Sequence, residues 1–516
     1  MKNKIFGFVL SLSLLPLSSC FFSSIGKVSS LSAPYLTQTS GTIRISKDSE
    51  DILVSPFDTS IYGSLYYYQG TYSDEQLSEI TEKFGNDFSF FHALSDRHNY
   101  YCLYDTSDEQ TQINQPKINN LKVVNDSYGT GEEIVLDDFL YSLLKKSYQF
   151  TLDSDGLFNM FLGTVNDIYE AKQEELSDYD SSLSKALSLA NNFTFASDVD
   201  AEEISQAIAF VPSTKDEISS MLTFNDEKKS VIFNRLSKTG FEDKKVSISL
   251  GGNAKGEATE YVAANLEKEY PDICLVIDSG SSSIKVTFQR PDEQKWNIRL
   301  TNPVYAQSLD ASEYNSTEIS FSHLGEFTIS TSGYYMQYFY VYDQAKDEYI
   351  RRSHIINPLT GYSENFFDQI CVMMPDSGLA DMYTTALMNT TSVTQASSLF
   401  DTLNQKYGVE EASLILCYKS NDDGSLYQYR NSELTGLSQK GLPVSYISQA
   451  GVEKEYSGDY SDVSVNDIKS VSTKSERSFQ ERFLVSESVF SDFSVISDTQ
   501  ILSHPDKIIS VLDKIS

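Results

Sequence analysis

Three short signals fall within one stretch, Thr331 to Ala386, and each carries a side chain able to do chemistry. TSGYY (Thr331–Tyr335) opens the stretch, HIINPLTGY (His354–Tyr362) follows, and ADMYTTA (Ala380–Ala386) closes it. Asp381 and Thr385 are four residues apart, so on a helix both oxygens point to one side. A carboxylate and a hydroxyl presented that way suit a hard cation such as Mg²⁺, which takes few protein oxygens and fills its shell with phosphate and water. The same spacing also suits an ordinary solvated helix face. His354 stands before a Pro-Leu-Thr-Gly turn and can move a proton near neutral pH, or simply serve the structure of that turn.

Taken in this order, the signals resemble the FAD:protein FMN transferase (ApbE) family, whose pattern is roughly TSG(D)Y, then HIIDPrTGyP, then ADalaTA. A further stretch supports the resemblance. VSISL (Val246–Leu250) reads as a short strand running into GGNAKGEATEYVAANL, a glycine turn feeding an amphipathic helix. A helix start of this kind offers backbone N–H groups and a positive end to an anion, and Lys255 adds a mobile charge. The family text here is (D)LGGiaKGyavD. The resemblance implies a metal held by the Gly252 carbonyl, Asp381 and Thr385, with Lys255 and Glu260 on the FAD and His354 as the candidate base. Ser249 stands where an Asp usually precedes LGG, and Glu257 where Tyr is frequent.

Earlier elements match in turn. SPFDTSIYGSLYYY (Ser55–Tyr68) alternates like a strand and resembles the family's MGT strand at the edge of the flavin pocket, with Phe57 in the Met place. Helical spacing runs over Glu75–Leu94. In SDRHNYY (Ser95–Tyr101), His98 falls in an aromatic slot near the adenine, and a surface loop histidine is the plainer reading. Asn125 of VVND matches a family Asn. Val135–Tyr148 reads as an amphipathic helix. SDGLFNMFLG (Ser154–Gly163) resembles TdGaFDptvg, which puts Leu157, Phe158 and Asn159 on the flavin nucleotide, with Asn159 replacing Asp. Ile355 is expected at the cofactor beside His354. Tyr334 and Asn357 also replace aspartates, the latter at a position that mainly sets the turn.

The elements that must position these residues imply an α+β fold. By resemblance it is T-fold-like, with antiparallel sheets flanked by helices and two packed subdomains with the flavin site between them. Residues 1–20 read as an export signal: Lys2 and Lys4, an apolar run over Ile5–Leu17, and LSSC ending at Cys20, which resembles a lipobox. Cys20 would then be lipidated and hold the protein on the extracytoplasmic face of the cell membrane. A flexible tether is expected over 21–49, the transferase domain over 50–435 with an acidic, solvated helical insertion at about 167–203, and an extension of unassigned role over 436–516. The remaining cysteines, Cys102, Cys274, Cys371 and Cys417, form no C-x-x-C pair and read as buried thiols. A formal charge of −33 argues against nucleic acid as a partner.

The activity so implied moves FMN from FAD onto a Ser or Thr hydroxyl of an exported client flavoprotein, with Mg²⁺, and releases AMP. Two alternatives share the pocket: an FAD pyrophosphatase giving FMN and AMP, and a flavin-binding lipoprotein whose site has decayed, motivated by Ser249, Tyr334 and Asn159.

Overall fold

The computed structural model describes residues 31–32, 35–36, 44–47, 50–53, 61–68, 70–103, 118–177, 198–238, 244–280, 282–291, 293, 295–300, 319–334, 338–343, 348–364, 366–410, 412–419, 425–431, 438–439, 444–448, 453–456 and 468–478. Cys20 and Phe57 lie outside these residues.

The chain folds as α+β around one long antiparallel sheet. Its central strands run, side by side, Ile61–Tyr68, Cys274–Ser279, Ser283–Val286, Phe327–Gly333, Phe367–Met374 and Ser413–Lys419. Cys274–Ser279 and Ser283–Val286 form a hairpin, with Val276 opposite Val286 and Ser279 opposite Ser283. Nearly every residue of Ser283–Val286, Phe327–Gly333 and Phe367–Met374 is buried, so these strands are covered on both faces rather than on one. That explains their apolar runs, such as ICVMM, where a half-exposed strand would alternate.

Two helices that matter most pack together against this sheet: Ala254–Glu269, which carries Lys255, and Ser377–Met388, which carries Asp381. A third, Asp74–Ser95, begins with a capping box in which Ser73 and Gln76 each satisfy the other's backbone N–H. Its Ile80, Phe84, Phe88, Phe91 and Leu94 recur at helical spacing and enter the main core, as the sequence spacing requires. The helix read from Val135 instead runs Asp138–Asp153, because Glu133–Val135 pairs as a strand with Ser230–Phe233 and Asp137 caps the helix start.

Three other expectations are corrected. Val246–Leu250 forms no regular strand. Its backbone is pinned piecemeal, Ser249 N donating to Met160 O, Gly163 N to Ser247 O, and Ile248 N to the Asn125 side chain. The stretch expected as a tether is in part paired: Leu31–Ser32 and Tyr35–Leu36 lie against Ile61–Tyr68, and Arg44–Lys47 pairs with Glu50–Leu53. Of the insertion expected over 167–203, only 167–177 and 198–203 lie among the described residues, and these are not simply solvated. The helix Gly163–Ser177 begins just before it and buries Val165 and, within the insertion, Tyr169.

Those two residues belong to a second apolar cluster, separate from the main one, built with Val199, Ile204, Ala207, Phe339, Val341 and Ile356. It fastens the insertion to the hairpin Tyr338–Asp343/Glu348–Ser353 that leads into His354. Arg352 completes the joint with a bidentate bond to Asp198 at 2.9 and 2.7 Å, and its guanidinium lies 4.4 Å from the centre of the Tyr362 ring. Arg352→Met is expected to loosen this joint by about 2 kcal/mol, less than a fully buried pair would give because Asp198 keeps partial contact with water. Hydrogen exchange checks it: protection should fall across residues 338–353 and hold in Phe367–Met374.

Candidate active site

Asp376 caps the helix Ser377–Met388 by accepting from Leu379 N, and the i, i+4 spacing then sets Asp381 and Thr385 on one face. That face meets the glycine turn. Thr385 Oγ1 donates to the Gly252 carbonyl at 3.2 Å, and Asp381 Oδ2 accepts from Gly256 N at 2.9 Å. Contact this close depends on glycine: a Cβ on Gly256 would lie 2.4 Å from Ser377 O and 2.8 Å from Asp381 Oδ2. The positive end of the Lys255 helix is therefore met first by an internal carboxylate, where the sequence alone leaves all its N–H groups open to a ligand.

The other oxygen of Asp381 is held by hydroxyls. Ser283 Oγ donates to Oδ1 at 2.8 Å, Ser282 Oγ at 3.4 Å, and Ser330 Oγ makes a shorter bond to the same atom. Asp381 is only 4% exposed, and burial pushes its carboxyl above the ordinary range, against the pull of Ser330 and of the Lys255 charge. Lys255 keeps partial exposure at its surface, yet dehydration pulls its ammonium down while Asp381 holds it up. Each group of the pair is thus short of opposite charge. A carboxylate, a hydroxyl and a backbone carbonyl gathered in a dehydrated place are the donor set of a hard cation, so Asp381, Thr385 and Gly252 fit Mg²⁺.

The remaining expected residues divide by what holds them. The Phe158 ring borders the glycine turn, since a Cβ on Gly252 would come within 3.2 Å of Phe158 Cε2. The Leu157 carbonyl accepts from Asn389, which ends the Asp381 helix, at 2.9 Å. Asn125 brackets Ile248, donating to its carbonyl at 3.0 Å and accepting from its N–H at 2.8 Å. Asn159 is spent on backbone, donating to Pro212 O and accepting from Phe161 N. Ser249 Oγ accepts from Asn166 Nδ2 at 2.9 Å. Glu260 accepts from Ser377 N at 2.5 Å and pairs with Lys285 at 3.2 Å, so it fastens the start of the Asp381 helix.

His354 is exposed at the head of its turn, with Nδ1 3.4 Å from Ser353 Oγ, while Ile355 beside it is buried. Asn357 sets that turn, accepting from Leu359 N at 2.8 Å. Tyr334 is fully buried and its hydroxyl reaches Met388 O at 3.3 Å, a core position where an ionised Asp would be costly. His98 is an exposed loop residue, 3.2 Å from Glu170. Donor atoms of His98, Asp167 and Glu170 fall within 4.8 Å of one another, but Arg97 pairs with both carboxylates at 2.6 and 2.7 Å and offsets half of their charge.

Sequence reasoning missed the serine hydroxyls and a second pair of charges. Glu257 is fully buried, 2.8 Å from Lys146, with Asp376 3.7 Å from the same ammonium. The pair is uneven: the half-exposed Lys146 is raised by Glu257 despite its burial, whereas burial outweighs Lys146 at Glu257 and raises its carboxyl to about 7. The folded protein therefore binds this proton more tightly than the unfolded chain, so the stability that Glu257 contributes falls as pH rises from about 4.5 to about 7 and stays lost above that. Glu257→Gln should remove this slope, and its stability relative to the parent should rise by a few kcal/mol between pH 4.5 and 7.5. Urea denaturation at the two pH values measures it.

The family model described as the ApbE family matches residues 103–406, more than half of the chain. No curated protein matches the sequence. Solved structures similar to it include the ApbE protein of Thermotoga maritima (19% identity, covering 70% of this chain and 91% of that one, TM-score 0.46). Two others are the flavin transferase ApbE of Vibrio cholerae (17% identity, 72% and 93%, TM-score 0.47) and the apo flavinyl transferase ApbE of Pseudomonas stutzeri (14% identity, 74% and 93%, TM-score 0.45). Among the described residues, no helix is long and apolar enough to cross a membrane.

Proposed function

The chain belongs to the ApbE family, and from that premise we propose that it is a flavin transferase, moving FMN from FAD onto a Ser or Thr hydroxyl of a client flavoprotein. The observation that carries the reading is the meeting of the glycine turn with the Asp381 helix, through Thr385 Oγ1 and Gly252 O and through Asp381 and Gly256 N. Segments more than a hundred residues apart bring their oxygens to one dehydrated place, as charge neutralisation on a diphosphate requires.

Asp381, Thr385 and the Gly252 carbonyl would hold Mg²⁺, which supplies positive charge to the diphosphate oxygens. Lys255 lies in the first turn of its helix, and a bound diphosphate restores the charge that dehydration disfavours. Phe158, against the glycine turn, gives the nucleotide an apolar wall. His354, exposed at its turn, accepts the proton of the incoming hydroxyl. The hydroxyl oxygen forms a bond to the FMN phosphorus, the bond from that phosphorus to the bridging oxygen breaks, and AMP leaves with the electron pair. Lys2, Lys4, the apolar run and LSSC at Cys20 support export and lipid anchoring on the extracytoplasmic face, where the client would also reside.

Incubating the protein with FAD, Mg²⁺ and a client domain, followed by a denaturing gel, tests the reading. A fluorescent client band with stoichiometric AMP is expected. AMP without a labelled client would mean FAD hydrolysis, and tight FAD binding with neither product would mean a binding protein.

A further inference from the structure

Strand Ser283–Val286 touches the Asp381 helix at two heights. Ser283 and Lys285 alternate along the strand, so both side chains leave the same face. Ser283 Oγ reaches the Asp381 carboxylate at 2.8 Å. Lys285, 3% exposed, reaches the start of the same helix: Nζ is 3.2 Å from Glu260, whose other oxygen accepts from Ser377 N, and it donates to the Pro375 carbonyl at 3.4 Å. Glu326 adds a carboxylate 3.3 Å from the same ammonium. A buried lysine with two acidic partners and a carbonyl is costly to build unless its charge is fully used. Here it holds together Glu260 on one helix and the chain that opens the other.

We propose that Ser283 and Lys285 are positioning residues for Asp381, one fixing the carboxylate and the other fixing the first turn of the helix that presents it. The inference rests on the reading of Asp381 as a cation ligand. Neither residue is a candidate ligand; each acts through Asp381, as partners of metal-binding groups do elsewhere. Ser330, on the neighbouring strand, and Ser282 donate to the same carboxylate oxygen and Gly256 N to the other, so loss of Ser283 leaves the carboxylate less firmly held rather than free.

The test measures Mn²⁺ binding by electron paramagnetic resonance in the purified full chain, beside thermal unfolding and flavin transfer. Ser283→Ala and Lys285→Met should each weaken Mn²⁺ binding about tenfold in protein that is still folded, with Lys285→Arg restoring most of the loss. Ser283→Ala keeps the question open to test should Lys285→Met not fold. A lowered melting temperature with wild-type Mn²⁺ affinity in both variants would overturn the inference, leaving a purely structural strand, while transfer by the parent would leave the functional reading intact. Absence of Mn²⁺ binding by the parent would overturn it too. Conversely, weakened Mn²⁺ binding in the variants of a parent that transfers no flavin would support the positioning role and remove the transferase reading.

Discussion

Asp381→Ala is expected to abolish flavin transfer while leaving the protein folded. The carboxylate brings together one backbone N–H, from Gly256, and the hydroxyls of Ser283 and Ser330, and it is the only ionised group in the proposed ligand set. Removing that charge takes away several kcal/mol of stabilisation from a developing phosphoryl charge, a loss of about a thousandfold or more in kcat/KM for FAD. The fold should survive because relief of a dehydrated carboxylate offsets the hydroxyl bonds that are lost. Asp381→Asn keeps the shape and one acceptor oxygen for the serines, at the loss of the bond from Gly256 N, and should be nearly as inactive. Gel fluorescence of a client domain and circular dichroism measure the two halves of the expectation. Full activity in either variant would remove Asp381 from the site.

The second large effect concerns the approach of the two helices. In Gly256→Ala the new methyl carbon would lie 2.4 Å from the Ser377 carbonyl, a backbone atom that cannot swing aside, and 2.8 Å from Asp381 Oδ2. The helices must separate, breaking the Gly256 N–Asp381 bond and drawing Ser377 N from Glu260. A loss of about 3 kcal/mol in urea denaturation is expected, at the upper end of overpacking costs, together with most of the transfer activity. Gly251→Ala is the control five residues earlier, ahead of the helix, for only Ser249 Oγ lies nearby, at 3.8 Å from the added carbon. Equal stability of the two variants would mean that the helices do not meet as closely as described.

How much of this could be read from the sequence differs by residue. Asp381 and Thr385 were legible because helical spacing alone puts them on one face, and the glycine turn because GG followed by a helix signals close approach. Ser330 and Ser283 were not, since hydroxyls that converge from neighbouring strands have no spacing in the chain; only sheet register brings them to one oxygen. Lys285 was hidden for the same reason, lying in what reads as an ordinary strand. The resemblance puts Glu260 on the FAD, whereas the structure spends its charge on Ser377 N and Lys285. Val246–Leu250 alternates like a strand, yet its bonds go to an Asn side chain and irregular backbone, so alternation there reflects burial without a ladder. The insertion at about 167–203 reads as solvated from its acidic, Ser-rich composition, yet Tyr169 and Val199, among its described residues, join the apolar cluster that packs on the His354 hairpin.

Titration of FAD binding by calorimetry, with and without Mg²⁺, asks most directly whether Gly252, Asp381 and Thr385 share a cation that grips the diphosphate. Mg²⁺ should tighten FAD binding at least about tenfold in the parent protein, a coupling typical of two ligands that meet in one site, and that gain should vanish in Asp381→Asn. FAD affinity indifferent to Mg²⁺, or a gain that persists in Asp381→Asn, would contradict it.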